Sequence, residues 1–97
     1  MDHLVNAEAA YPPERGVGTS YAGVHENLMR IQATAIVDKY KSGPYQKQWK
    51  SIYQLTSSAC KWIENYKYKG TPAEEGKLRL AIEITFKGLK EEISKLS

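Results

Sequence analysis

Hydrophobic residues recur at intervals of three and four along most of this chain, and this spacing places them on one face of an α-helix. Three segments have the pattern. In the first, the apolar positions are Val24, Leu28, Ile31 and Ala35. We predict a helix over 20–42 from them, because Gly43 and Pro44 follow directly and proline blocks the continuation of a helix.

The second segment predicts a helix over 44–69. Pro44 suits a first turn, where its missing N–H is not needed, and Gly70 marks the end. The apolar face of this helix consists of Trp49, Ile52, Tyr53, Thr56, Cys60, Ile63 and Tyr66. Trp62 and Leu55 lie off this face, and a small core does not necessarily cover both of them.

The third segment begins with the clearest local signal in the chain. Thr71 can accept a hydrogen bond from the amide of Glu74, and Pro72 occupies the favoured first helical position. We predict a helix over 72–96, whose apolar face consists of Leu78, Ile82, Thr85, Leu89, Ile93 and Leu96. The stretch 78–86 also alternates like a strand, but the chain offers no second convincing strand to pair with it, so helix is favoured.

Residues 1–10 could form a weak helical turn or remain irregular, and the residues that follow favour a loop. Pro12 and Pro13 favour extended backbone, and Gly16 and Gly18 permit tight turns. We therefore predict an irregular N-terminal arm over 1–19 and a helical domain over 20–97. The fold class is all-α: a small three-helix bundle, antiparallel because the connections between its helices are short.

The size of the chain favours self-association. Its 97 residues allow one domain with a modest core. Leu80 and Ile84 lie off the main apolar face of the third predicted helix, which makes that helix apolar on two sides. Such a helix suits burial between neighbours or contact with a second subunit, and we expect a homo-oligomer.

Charge is concentrated in the middle of the chain, although the net charge of +3 is mild. Residues 38–69 contain seven lysines against Asp38 and Glu64, whereas residues 1–37 are slightly acidic and residues 70–97 are balanced. An anionic partner is therefore expected to meet the middle third.

Cysteine content and hydropathy limit the cellular setting. With Cys60 alone, an internal disulfide and a cysteine-based zinc site are excluded. The chain begins without a basic, then apolar, leader, and no stretch approaches the ~20 apolar residues that span a bilayer. We expect no membrane contact and a location inside a cell, either a bacterial cytoplasm or a host cell.

The residues needed for catalysis are scarce. A nucleophile needs a neighbouring base, but the only histidines are His3 and His25, and Cys60 falls on an apolar helix face. No metal-binding spacing is present. We therefore predict that the protein is not an enzyme and has no cofactor and no metal.

The aromatic and basic stretch from Trp49 to Gly70 has three interpretations. The aromatic residues can belong to the core, with the lysines on a solvated face. The lysines can contact a phosphate backbone, or the aromatic residues can anchor a protein interface. An uncovered tryptophan would favour the last. The candidate partner-binding residues are Trp62, Tyr66, Tyr68, Lys47, Lys50 and Lys61.

A second candidate site lies in the loop before the first predicted helix. Glycines followed by Thr or Ser at the start of a helix can present backbone N–H groups to a phosphate, and arginine can add a bidentate contact. The candidate phosphate-binding residues are Arg15, Gly16, Gly18, Thr19 and Ser20. The alternative is an ordinary loop with a helix cap, because the Walker pattern is absent.

Two classes of function follow. The favoured one is a non-enzymatic interaction protein that binds a protein partner, either blocking it or acting as a scaffold. The alternative is binding of nucleic acid or a nucleotide-like phosphate ligand through the basic middle helix and the 15–20 loop. Small, cysteine-poor helical chains are common among phage and mobile-element factors, and by this class-level analogy we expect such a source.

Overall fold

Four α-helices make up the regular structure of the described residues, which are 2–13, 20–38, 43–66 and 71–96 of a computed structural model. The helices are α1 (Asp2–Ala9), α2 (Ala22–Asp38), α3 (Gln46–Tyr66) and α4 (Pro72–Ser94). No strand occurs within these ranges. The predicted all-α class is confirmed, and Leu78–Phe86 is helical despite its strand-like alternation.

The helix boundaries agree with the local signals where they fall on described residues. The Thr71 side chain accepts from the amide of Glu74 at 3.2 Å, and Pro72 opens α4, as the capping pattern predicts. The helix α3 begins at Gln46, two residues later than expected, after a turn at Pro44. The predicted ends near 42 and 69 lie outside the described residues.

The N-terminal segment differs from the prediction of an irregular arm. Residues 2–9 form α1, which packs against α2 and α4. Leu4 and Ala7, three residues apart, are buried. Two apolar positions are too few to show a helical period in the sequence. A helix this short is stabilised mostly by its tertiary packing, which the local sequence does not show. The rest of the expected arm, residues 14–19, lies outside the described residues.

A close approach fixes the end of α1 against α2. A Cβ atom at Gly23 would lie 2.9 Å from the Cβ atom of Ala10, which is closer than real Cβ contacts come. Glycine is therefore needed at this position for the two segments to pack together.

One hydrophobic core joins all four helices. The first and third predicted apolar faces supply most of its fully buried side chains, and the second adds Ile52, Thr56, Cys60 and Ile63. Trp49, Tyr53 and Tyr66 pack at its edge and stay partly accessible. Burial of a large aliphatic side chain contributes about 1.5–3 kcal/mol before entropy is counted, so these faces hold the helices together.

The helix α3 packs against both α2 and α4. On the α2 side, Gln32 donates to the Ser57 hydroxyl at 2.5 Å, and the His25 ring lies 2.9 Å from the Glu64 carboxylate. On the α4 side, Leu55 fills the space beside Gly88, where a Cβ atom would lie 3.1 Å from the leucine methyl groups. A groove runs along the outside of this α3–α4 contact.

Candidate protein-binding groove between α3 and α4

The α3–α4 groove is an open depression of about 690 Å³. Its central residues are Leu55, Ser58 and Trp62 of α3, with Leu80, Ala81 and Ile84 of α4. The α3 residues recur at intervals of three and four, and on α4 Ile84 follows Leu80 by four positions and Ala81 by three, so each helix presents a second face to the groove besides the face that it turns to the core.

Three large apolar side chains of the groove are exposed to solvent. Leu80 is 60% exposed, Ile84 is 59% exposed and Trp62 is 42% exposed. Single exposed hydrophobic residues are common, but neighbouring ones that line one depression are typical of interaction sites. Trp49, the other tryptophan of α3, packs against the core. Trp62 is thus the uncovered tryptophan that favours the protein-interface interpretation.

The lining of the groove combines small and large residues. Ser58 and Ala81 are small, and Gly88 lets Leu55 pack close to α4. Trp62, Leu80 and Ile84 are the large, exposed members of the same lining. Small residues in such a lining allow a third helix or an extended segment to approach the α3 and α4 backbones closely.

The two ends of the groove carry opposite charges on α4. Lys77 lines one end, and Glu91 and Glu92 line the other. These ends are fourteen residues apart, which corresponds to about 21 Å of helix. Glu92 is bonded to Lys95 at 3.3 Å, whereas Glu91 has no ion pair with any residue that the structure describes. The groove is therefore charged only at its ends, and its other lining residues are uncharged.

The predicted partner-binding residues are distributed over different surfaces. Trp62 lines the groove, and Lys61 lies next to it in a small adjoining depression with Ser58 and Asn65. Lys47 and Lys50 are exposed on α3 but do not line the groove. Tyr68 lies outside the described residues.

Tyr66 is engaged in packing. Its ring meets the Tyr21 ring edge-on, with the centroids 5.7 Å apart, and it is half-buried. Burial raises the pKa of its phenol, and the nearby carboxylates of Glu75 and Glu74 add to the effect. Only part of this side chain is accessible to a partner.

One member of the predicted phosphate-binding loop is described. The Ser20 hydroxyl accepts from the amide of Ala22, the first residue of α2, at 3.3 Å, so it makes a local hydrogen bond at the start of this helix. Arg15, Gly16, Gly18 and Thr19 lie outside the described residues.

A buried polar network was not anticipated from the sequence. Arg79 donates to the Tyr21 hydroxyl at 3.1 Å and to the Pro12 carbonyl at 2.7 Å, and its guanidinium lies 4.3 Å from the centre of the Tyr11 ring. Tyr21 donates to the Glu75 carboxylate at 2.7 Å. The network ties the segment after α1 to α2 and α4.

A signal for this network was present in the sequence. Glu75, Arg79 and Glu83 follow one another at intervals of four, which places alternating charges on one face of α4. That spacing ordinarily indicates a solvated face. The tyrosines that cover it come from positions 11 and 21, far away in sequence, and no local pattern links them to α4.

Cys60 is poorly suited to act as a nucleophile at neutral pH. Burial, reinforced by Glu64, raises the pKa of the Cys60 thiol to about 11, and the side chain is buried. Among the described residues, no three His, Cys, Asp or Glu side chains are grouped closely enough to hold a metal ion. Within the same ranges, no helix is long and apolar enough to cross a membrane.

Comparisons with known proteins add no relative. No protein-family model matches the chain, and neither the search of curated proteins nor the search of solved structures returns a match.

Proposed function

We propose that this protein is a non-enzymatic interaction protein that binds a protein partner through the α3–α4 groove and thereby blocks or scaffolds it. The observation that carries the proposal is the exposure of Trp62, Leu80 and Ile84 around one depression. Burial of such side chains in an interface supplies most of the affinity of typical protein complexes, and tryptophan is among the residues that contribute most.

The charge distribution supports an apolar contact as the centre of this interface. The exposed lysines of α3 lie beside the groove or away from it, and the lining of the groove between its ends is uncharged. A polar rim around an apolar centre is the usual arrangement of a protein interface. We also take the helices to form an antiparallel bundle, which the short connections favour.

The proposal can be tested with one substitution in the groove and a matched control. In Ile84→Glu, a carboxylate takes the place of an isoleucine that is 59% exposed; Val5→Glu makes the same change on α1, where valine is 64% exposed and does not line the groove. Both variants should fold, as judged by circular dichroism, because neither site is buried.

The measurement is capture of partners from a lysate of the source cells, after nuclease treatment and in high salt, with bound proteins identified by mass spectrometry. We expect a protein that the wild type and Val5→Glu retain and that Ile84→Glu loses. If every captured protein is retained equally by the two variants, the groove is not the binding surface.

Nucleic-acid or phosphate binding is the second candidate. Lys47, Lys50 and Lys61 are exposed and have no ion pair with any described side chain, which favours contact with an anion. Such binding should weaken steeply as salt is raised, and should be lost in the variant with all three lysines changed to alanine. The probe is labelled single-stranded DNA. If its affinity does not change with salt or with these substitutions, the three lysines do not contact a phosphate backbone.

A further inference from the structure

We propose that the occupant of the α3–α4 groove is a single amphipathic α-helix of the partner, with an acidic residue near Lys77 and a basic residue near Glu91. This inference rests on the proposed function and specifies the chemistry of the partner. It follows from the length of the groove, the small residues in its lining and the charges at its ends.

The length of the groove matches a helix of moderate size. Lys77 and Glu91 are separated by about 21 Å along α4, and a helix of about fourteen residues spans this distance. Leu80 and Ile84 lie one turn apart on α4, and Leu55, which packs over Gly88 one turn further on, extends the apolar centre. Apolar anchors at positions i, i+4 and i+7 of a partner helix would span that centre.

The cross-section of the groove also favours a helix. Ser58 and Ala81 of its lining are small, so a helical cylinder can approach both α3 and α4 there, with Trp62 and Ile84 packing against its sides. A partner strand would need an exposed sheet edge to pair with. The described part of the chain contains no strand.

The charges define how the partner helix lies. Acidic residues in its first turn would face Lys77, and basic residues in its last turn would face Glu91. The same order of charges stabilises the partner helix by itself, because acidic residues favour a helix N-terminus and basic residues a C-terminus. The partner helix would then run in the same direction as α4.

The test is a selection from a displayed library of random 16-residue peptides with the full-length protein as target. We expect enriched sequences with apolar residues at helical spacing, acidic residues at the N-terminal end and basic residues at the C-terminal end. By fluorescence anisotropy, a selected peptide should bind Ile84→Glu at least about tenfold more weakly than wild type, and Val5→Glu equally well.

The charge order has its own test. In the doubly substituted protein Lys77→Glu/Glu91→Lys, a selected peptide should bind several-fold more weakly, and a peptide with the charges of its two ends exchanged should recover the loss. Both effects should fade in high salt, because exposed charge pairs are screened. If the exchanged peptide gives no recovery, the proposed orientation is wrong.

The remaining outcomes separate this inference from the proposed function. Enriched peptides that are rich in proline or alternate like strands, but still depend on Ile84, would overturn the helical occupant and leave the groove as the binding surface. A wild-type dimer that Ile84→Glu converts to a monomer would show that a second copy fills the groove. If Ile84→Glu weakens the binding of no selected peptide and also leaves the proteins captured from lysate unchanged, both proposals fail.

Discussion

Arg79 is a cation that the fold buries, and its contacts compensate for the water that it loses. Its guanidinium has a hydroxyl, a carbonyl and an aromatic face as neighbours, supplied by Tyr21, Pro12 and Tyr11. A buried charge with partners is tolerated, but removal of one partner leaves an uncompensated group in a medium that solvates it poorly. The network should therefore be sensitive to single-atom changes.

Removal of the Tyr21 hydroxyl should destabilise the protein without creating a large cavity. In Tyr21→Phe, Arg79 loses an acceptor at 3.1 Å and Glu75 loses a donor at 2.7 Å. We expect the free energy of unfolding to fall by about 1–3 kcal/mol, measured by urea denaturation. Tyr45→Phe is the matched control, since Tyr45 is exposed, and should change stability by less than about 0.5 kcal/mol. Equal effects would mean that the network contributes nothing.

The same network predicts a loss of stability at alkaline pH. Burial, with a hydrogen bond to a carboxylate, raises the pKa of both Tyr11 and Tyr21 above the ordinary value near 10. In the unfolded chain the two phenols lose their protons at lower pH than in the folded protein. The stabilisation is therefore complete below about pH 10 and is lost as the pH rises through the folded values.

Urea midpoints measured between pH 9 and pH 11.5 should show this decline, with tyrosinate absorbance as the direct record of ionisation. Tyr11→Phe/Tyr21→Phe removes both phenols and should flatten the alkaline limb, although it lowers stability at neutral pH. An alkaline limb of unchanged steepness in this variant would assign the decline to other groups, such as the buried Cys60 thiol.

At the scale of elements, α1 is the feature that periodicity could not predict. Its apolar contacts, Leu4 and Ala7, occupy two positions of eight, and the prolines that follow suggest an arm. The long helices were predictable because their apolar faces repeat over four or more turns and their caps are local. The groove was only half predictable: Trp62, Leu80 and Ile84 were recognised as lying off the core faces, but their meeting in one depression depends on how α3 packs against α4.

Truncation of Leu4 tests whether α1 belongs to the core. Leu4 is buried, so Leu4→Ala should lower the free energy of unfolding by about 2–3 kcal/mol in urea denaturation, because it removes apolar contacts and leaves a cavity. Val5→Ala on the same helix is the control, since Val5 is exposed, and should have an effect below about 0.5 kcal/mol. If Leu4→Ala is no more destabilising than the control, α1 does not contribute to the stability of the fold.

At the scale of the whole molecule, the residues that the structure describes include two exposed apolar surfaces. One is the α3–α4 groove. The other is the outer face of α2, where Met29, Ile36 and Val37 are exposed at positions that share one side of the helix. A chain of 97 residues buries a limited core, and pairing of such faces is a common way to bury more. The two surfaces can then have separate roles, with α2 for self-association and the groove for a partner.

This division predicts that substitutions on the two surfaces have separable effects on mass in solution. A twofold dimer through α2 would bring the Ile36 face of one subunit against the same face of the other. A carboxylate at position 36 would then lose its hydration in the interface and would be repelled by the same carboxylate of the second subunit. Light scattering coupled to size exclusion should give a dimer for wild type and Ile84→Glu, and a monomer for Ile36→Glu at the same concentration. A monomeric wild type at high concentration would reject self-association, and a dimer disrupted by Ile84→Glu alone would move the dimer interface to the groove.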